Sequence, residues 1–509
     1  MKAPPGFVAI GAVNVVLLAG WAVGGYRAGA AGLVLGLSLF IVPWRGQTLS
    51  VWTAIYCARH RVFQLTEPTI ATNDRSSGGV RYQNGVAIVA VQLLGKAHRP
   101  TIINGSSSVR SDDEFDVHSL VPQMQQSLGL TINSLSIVSA GSRRHPAGDY
   151  ARVYDTLIGP APYAGQRDTW LILRVDAIAN ADALRYRTSV GAAALAGAQR
   201  LAAVLRTEGM RARVATSADM SELDKRLGAS ALGVHNRRWK ALRGQSGWLT
   251  TYAYHTRDIK ADVLAEAWCF RADAVIQNVT LFPDGRVSAS VTVQTPRPPT
   301  ASPSSRLVGL PGEQAGALVN SLCAPRIDLR GQARGRLGSL RMPVGSSGVF
   351  VGTTRTGDRL CIPLADRGEQ SRIEIHGDDT LTKRIIIRTA ATGERITIHS
   401  DDGQRWDSVR MPNVVVTDRS LPAPGTTVSV VDGTVSPSPQ PHTLIVVQSA
   451  SATPQRSADV VMKQIGPTSV DVVTRHDIQG ANLELFRAEN RYIKPQSGTQ
   501  ATSEFAMVE

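Results

Sequence analysis

GFVAIGAVNVVLLAGWAVGGYRAGAAGLVLGLSLFIVP, residues 6–43, carries a single charge, Arg27, and its reading decides the architecture. The apolar run splits at that arginine. Phe7–Tyr26 is long enough for a membrane-spanning helix, which needs about 20 residues. Ala28–Val42, with Pro43 and Trp44 behind it, sits at the short end of the range and would have to stand upright or thin the bilayer. A two-helix transmembrane hairpin over residues 1–45 is therefore expected. The competing reading is a secretory signal. Against it, only Lys2 stands ahead of the apolar run, the run resumes after one arginine, and no small-residue cleavage site precedes a polar chain. Gly20, Gly24, Gly25, Gly29, Gly32 and Gly36 crowd both runs, and such small residues let two helices pack closely. Trp21, Tyr26, Trp44 and Arg45 stand where residues of the membrane interface are expected. Arg45, Arg59, Arg61, Arg75 and Arg81 follow the second run, whereas the turn holds Arg27 alone. This bias places both termini in the cytoplasm. In Gln47–Gln64, Leu49, Trp52, Ile55 and Tyr56 recur at helical spacing beside Arg59, His60 and Arg61. Two readings stay open for this stretch: an amphipathic helix lying on anionic lipid, or the first core helix of the soluble part.

Composition bounds the remainder. The chain has 509 residues, 43% hydrophobic, 5% aromatic and 19% charged, enough for two or three folded domains. The apolar content excludes a disordered chain, and the lack of a Gly-X-Y or heptad period excludes fibrous classes. A formal charge of +14 points to an anionic neighbour: nucleic acid, a phospholipid surface or an acidic protein. Cysteines 57, 269, 323 and 361 are scattered and form no CxxC pair, which argues for reduced thiols rather than a disulfide framework or zinc ribbon.

Strand and helix patterns then alternate. Strands are expected at Asn84–Leu94, Leu135–Ala140, Thr169–Asp176 (TWLILRVD), Arg211–Thr216 and Trp248–His255. Helices are expected at Val117–Leu128, Ala183–Glu208 with Gly209 as its stop, Ser221–Leu227 and Lys260–Phe270. A hairpin pairs Asp273–Leu281 with Gly285–Gln294 around Pro283-Asp284-Gly285. This alternation predicts an α/β domain with a mixed sheet over 46–294. Thr295–Ser305 (TPRPPTASPSS) reads as a linker spanning 295–306. Beyond it, Leu307–Cys323 ends helical, and Gly345–Pro363, Arg372–Ile375, Ile385–Arg388, Arg395–His399 and Val414–Thr417 read as short strands or strand-helix alternation, with Val428–Val431 and Thr443–Val447 as two more. They make a second α/β domain over 307–492, and 493–509 reads as a flexible tail.

No motif completes a catalytic site. In IEIHGDDTLTKRIIIR (Ile373–Arg388) a strand ends in Gly ahead of a Thr-Lys pair and a helix, the layout of a phosphate-cradling loop. However, Thr382 replaces the second glycine, Arg384 replaces the hydroxyl residue after Lys383, and Asp378 and Asp379 would repel phosphate. The domain reads as a degenerate P-loop-like unit. Asp112-Asp113, Asp378-Asp379 and Asp401-Asp402 are candidates for a metal-binding nucleotide-sugar site, although adjacent acids commonly start helices and turns. No HExxH, HxH or GxSxG occurs. Arg237, Arg238, Lys240 and Arg243 bracket Trp239. In a membrane-tethered chain, that basic face fits lipid headgroups or an acidic partner better than nucleic acid.

The order of parts resembles the EccE family, the membrane component of actinobacterial type VII (ESX) secretion systems. Two stretches carry the likeness. One is Gly159–Leu223, above all TWLILRVD followed by RTSVGAAALAGAQRLAAVLRTEGMRARVATSADMSEL, where the family has a strand, an Arg-Gly-rich turn, a small-residue helix and a short strand. Arg187-Thr188-Ser189 departs from the glycines expected in that turn. The other is Met342–Trp406, MPVGSSGVFVGTTRTGDRLCIPL through GERITIHSDDGQRW, which is similar to the carboxyl-terminal half of longer members. The resemblance implies a structural subunit at the outer edge of an inner-membrane complex. It would be anchored by two helices, with a cytosolic part contacting EccD and EccB around the EccC motor ATPase. It further implies a first domain like a glycosyltransferase fold stripped of its working residues, with no catalytic, cofactor or metal residue to carry over. The expected function is thus a non-enzymatic scaffold for protein export. The rival is a membrane-anchored transferase using a nucleotide sugar.

Overall fold

A computed structural model describes residues 5–44, 47–59, 61–72, 77–105, 108–111, 113–366, 368–455, 457–475 and 477–493. Its helices are α1 (Pro5–Phe40), α2 (Leu49–Ala58), α3 (Asp149–Ile158), α4 (Ala181–Leu184), α5 (Val190–Thr207), α6 (Ser217–Arg226), α7 (Ala261–Ala265), α8 (Gln314–Val319), α9 (Asp379–Thr392) and α10 (Asn490–Ile493).

The strand Val86–Leu94 pairs with Gln166–Asp176, and the side-chain period of two sorts their residues to opposite faces. Val89, Val91, Leu171 and Leu173 enter one core, shared with Ala194, Leu195, Ala198 and Leu201 of α5. Ile88, Ala90, Trp170 and Ile172 enter the other, shared with Met220 and Leu223 of α6 and Leu318 of α8. A sheet buried on both faces explains why VAIVAVQLL and TWLILRV are near-continuous apolar runs. This first sheet has twelve strands, and every pairing in it is antiparallel. That corrects the mixed sheet expected here: neighbouring strands run antiparallel even where a helix joins them, as α3 joins Ser134–Ser142 to Gln166–Asp176.

The second sheet also has twelve strands and is mixed. Ser371–His376, Ile396–Ser400, Val414–Thr417, Val428–Asp432, Thr443–Gln448 and Val460–Gln464 run parallel, with α9 as the first crossover. The other half is antiparallel and ends with Thr101–Asn104 and Ser108–Ser111.

The two sheets do not divide the chain at residues 295–306. The hairpin 101–111 lies far upstream yet completes the second sheet through Arg359–Ile362. Leu307–Gly309 and Gly335–Arg336 belong to the first sheet, and Arg341–Pro343 pairs with Glu114–Asp116 beside it. Arg174 supplies a physical reason. Fully buried on its strand, it donates to the carbonyls of Asn320, Leu322 and Ala324 and so caps the segment after α8. Burial lowers its pKa to about 10.

Several sequence expectations change. Val117–Leu128 is three short 3-10 turns rather than a helix, because Pro122 and Gly129 interrupt it. Ala183–Glu208 divides at Arg185–Ser189: Ser189 accepts from the Ala192 N–H at 3.0 Å and starts α5 afresh. Lys260–Phe270 shortens to α7 followed by a 3-10 turn. Ile385–Arg388 is helical, inside α9. Every residue from Leu381 to Thr392 is buried, so the apolar run mimics a strand.

Ahead of the sheets, Ile10–Phe40 is one span long and apolar enough, by length and composition, to cross a membrane. Where the sequence predicts two helices, the hydrogen-bonded span is interrupted at Gly24 and Gly25, the latter at φ +64°. That left-handed conformation is the one glycine tolerates best.

Candidate functional site

The span turns back on itself. In a straight helix Val13 and Gly36 would lie about 34 Å apart. Instead, a Cβ placed on Gly36 would sit 3.2 Å from the Val13 Cα. On Gly32 it would meet the Val16 carbonyl oxygen at 2.7 Å, and on Gly20 the Ala28 carbonyl oxygen at 2.5 Å. Gly29 faces Trp21 at 3.3 Å and Gly24 faces Ala28 at 2.8 Å. Trp21 and Tyr26 are exposed, and Arg27 stacks over the Tyr26 ring. Trp44 pairs with Gln47 through the backbone, while its side chain and all of Arg45 lie outside the described residues.

α1 rests against Gln47–Thr48 and α2. α2 in turn sets its apolar stripe on Trp239. Ring centroids of Trp52 and Tyr56 are 6.0 and 6.4 Å from Trp239. Ile55 is buried beneath, and Gly312, at φ +78°, closes the contact. A Cβ on Gly312 would lie 2.5 Å from Ile55 Cγ2 and 2.7 Å from the Trp239 ring. Two cavities of about 360 and 390 Å³ flank this joint and share Ile55, Trp239, Glu313 and Gln314.

The predicted basic cluster divides by role. Arg237 is a structural clamp: its guanidinium donates to the Leu232 and Arg61 carbonyls and lies over Phe63 at 5.0 Å. Burial lowers its pKa. Arg238 donates to the carbonyls of His235 and Arg237 yet stays exposed, as do Lys240 and Arg243. The groove formed with α2 escapes a sequence reading, although its two halves, the Leu49–Tyr56 stripe and Trp239 among basic residues, are both visible there.

The acid pairs serve local structure. Asp113 is buried and accepts from the Lys96 N–H at 3.0 Å, and burial raises its pKa. Asp112 lies outside the described residues. Asp378 caps α9 through the Leu381 N–H at 2.8 Å. Asp401 holds Thr434, and Asp402 holds the Arg405 N–H. At the carboxyl ends of the parallel strands, where an open α/β sheet receives ligands, the crevice is filled from within. Arg405 bridges Asp379 and Asp432, and the Trp406 indole donates to Asp432 at 2.7 Å. Lys383, the P-loop-like lysine, is buried beside Asp379 at 3.7 Å. Burial raises the thiol pKa of Cys269, Cys323 and Cys361, the last to about 12, which favours the protonated form.

The fold and this site define a two-sheet protein fastened to an apolar helix long enough to cross a membrane, with an aromatic and basic groove where the two meet. A family model described as "type VII ESX secretion system translocon, EccE" matches residues 163–254, which hold the strand Gln166–Asp176, α5 and α6. The chain is 44% identical to the ESX-2 secretion system protein EccE2 of Mycobacterium tuberculosis (strain CDC 1551 / Oshkosh), over 96% of each chain. It is 26% identical to the ESX-1 secretion system protein EccE1 of Mycobacterium tuberculosis (strain H37Rv), over 73% of this chain and 77% of that one. It is 29% identical to the ESX-5 secretion system protein EccE5 of Mycobacterium marinum, over 40% of this chain and 53% of that one. The chain belongs to the EccE family and is a subunit of a type VII (ESX) secretion system.

Proposed function

We propose that this subunit is a non-enzymatic scaffold of the inner-membrane secretion complex. In this reading α1 crosses the bilayer twice, so that both termini face the cytoplasm. Gly20, Gly29, Gly32 and Gly36 hold its arms together and Gly24 and Gly25 make the turn between them, with Trp21, Tyr26, Trp44 and Arg45 at the interface. The body docks with the other membrane subunits of the complex, EccB, EccC and EccD, and its exposed Arg238, Lys240 and Arg243 face acidic partners or anionic lipid. The observation that carries this reading is the close packing of the α1 arms across glycines. It supports an anchored docking piece, and at the carboxyl ends of the parallel strands Arg405 is committed to Asp379 and Asp432. Degenerate glycosyltransferase-like and P-loop-like ancestry for the two regions belongs to the same proposal.

The test is affinity purification from native membranes of the organism. The wild-type chain should bring down the other membrane subunits, and Gly32→Leu should bring down several-fold less. A tag fused after residue 493 should be reachable only after the cells are opened. Labelling of that tag in intact cells sinks the topology, and full recovery of partners with Gly32→Leu sinks the anchoring role.

A further inference from the structure

We infer that the groove between α2 and Trp239 binds one anionic phospholipid drawn from the adjoining leaflet. The inference rests on the membrane-anchored reading above and goes further by assigning a defined lipid site. Three observations converge on it. First, location: α1 lies against Gln47–Thr48 and α2, and Gln47 lines the larger cavity. The seven residues from Phe40 to Gln47 span at most about 24 Å, so the groove opens close to where the apolar span ends. Second, shape and lining: the larger cavity, about 390 Å³, is walled by Trp52, Ile55, Trp239, Tyr252, Val308 and Leu310. This is an apolar slot of the size that binds small ligands. Trp239 is still 39% exposed, so the slot is open to an occupant. Third, charge: Arg61, Arg238 and Arg330 are exposed on the rim of the neighbouring cavity and, among the described residues, pair with no carboxylate. The rim's own acids are already engaged. Glu313 accepts from the backbone N–H groups of Arg330 and Gly331 at 2.8 and 2.9 Å. Asp328 is held by Arg326 and Arg334.

An acyl chain in the slot and a phosphate among the three arginines would use both cavities, which share Ile55 and Trp239 in their walls. A soluble acidic peptide would satisfy the rim but leave the slot's apolar wall in water. Near a cytoplasmic leaflet, anionic lipid satisfies both parts.

The experiment reconstitutes the full chain in phosphatidylcholine vesicles containing trace phosphatidylglycerol that carries a photoactivatable diazirine on one acyl chain. Mass spectrometry then maps the adducts. The expected result is labelling of α1 together with peptides holding Trp239–Leu242 and Pro299–Pro311. Diazirine-phosphatidylcholine should label α1 equally but the groove far less. Arg238→Gln combined with Arg330→Gln leaves the slot intact and should lower groove labelling by phosphatidylglycerol about 25-fold. This follows from roughly fivefold per arginine near an anionic surface. Labelling confined to α1 and its flanks overturns the lipid site while leaving the anchor standing. Equal groove labelling by both lipids overturns the anionic assignment. No labelling of α1 at all overturns the anchored reading as well as this one.

Discussion

Glu489 lies in the 3-10 turn just before α10, and replacing it by Gln tests how that segment is held against the second sheet's helices. Its carboxylate is fully buried. It accepts from Arg384 Nε at 2.9 Å, from Arg388 Nε at 2.8 Å and from a second Arg388 nitrogen at 2.9 Å. The Tyr150 hydroxyl on α3 donates to it at 2.6 Å. One carboxylate thus ties α3, α9 and the approach to α10 together. Glu489→Gln keeps the shape and removes the charge, so two guanidinium groups stay buried without a counter-ion. Breaking a buried pair in this way costs about 3–5 kcal/mol. For a unit of this size that lowers the transition by roughly 6–20 °C.

The two arginines should respond unequally. Arg388 also donates to the carbonyls of Phe350, Val351 and Glu484. Burial opposes its charge, but the hydrogen bond and charge of Glu489 outweigh this and raise its pKa. Arg384 has an unpartnered Nη1 among the described residues, and burial wins there, lowering its pKa. Arg384→Met should therefore cost least and should recover part of the loss when added to Glu489→Gln. Thermal melting of the detergent-solubilised chain, followed by limited proteolysis of the 371–493 region, provides the readout. If Glu489→Gln melts with the wild type, or if Arg384→Met costs more than Arg388→Met, the reasoning is refuted.

Other outcomes follow from the same structure. Gly32→Leu or Gly36→Leu should spread the α1 arms and reduce recovery in the membrane complex. Gly11→Leu, where an added Cβ meets nothing within 4 Å, should not, and quantitative co-purification separates them. His98 is buried, with Nδ1 2.8 Å from the Pro363 carbonyl oxygen, and burial lowers its pKa despite Asp366 and Asp459 nearby. Its contribution is complete above the unfolded value of about 6.5 and is lost as pH falls through the lower folded value. Hydrogen exchange around residues 96–99 and 363–366 should rise in that acid window, and His98→Gln should flatten the response. A chain ended at residue 294 should yield little soluble protein, because it uncovers Ile172, Met220 and Leu223 and strips Arg174 of its carbonyl partners, whereas one ended at residue 344 retains both. Expression and solubility of the two truncations decide the point.

Much of the fold is visible in the amino-acid order where local pattern and packing agree. The runs 84–94 and 169–176 are apolar on both faces because both faces are covered, and Pro283-Asp284-Gly285 marks its hairpin. Pattern misleads where burial is complete, since α9 is buried all round from Leu381 to Thr392 and its polar and apolar residues do not sort into the stripe that would distinguish Ile385–Arg388 from a strand. Long-range pairing is invisible altogether. Nothing local in TIIN at 101–104 announces a partner near residue 360, and nothing in 314–324 announces Arg174. For the candidate groove, spacing reveals the stripe on α2 and the charges around Trp239, but only the three-dimensional arrangement brings Ile55 beneath that indole. Composition likewise cannot tell that Arg237 is half-buried against the Leu232 and Arg61 carbonyls while Arg238 stays exposed.

The exchange of strands between the sheets has a consequence for synthesis. The hairpin 101–111 leaves the ribosome about 250 residues before Leu360, the residue that pairs with Ile102, has been made. At typical elongation speeds that is roughly 13–50 s during which its edge stays unsatisfied. Until translation delivers the strand that closes it, the hairpin has to persist without its partner in the second sheet.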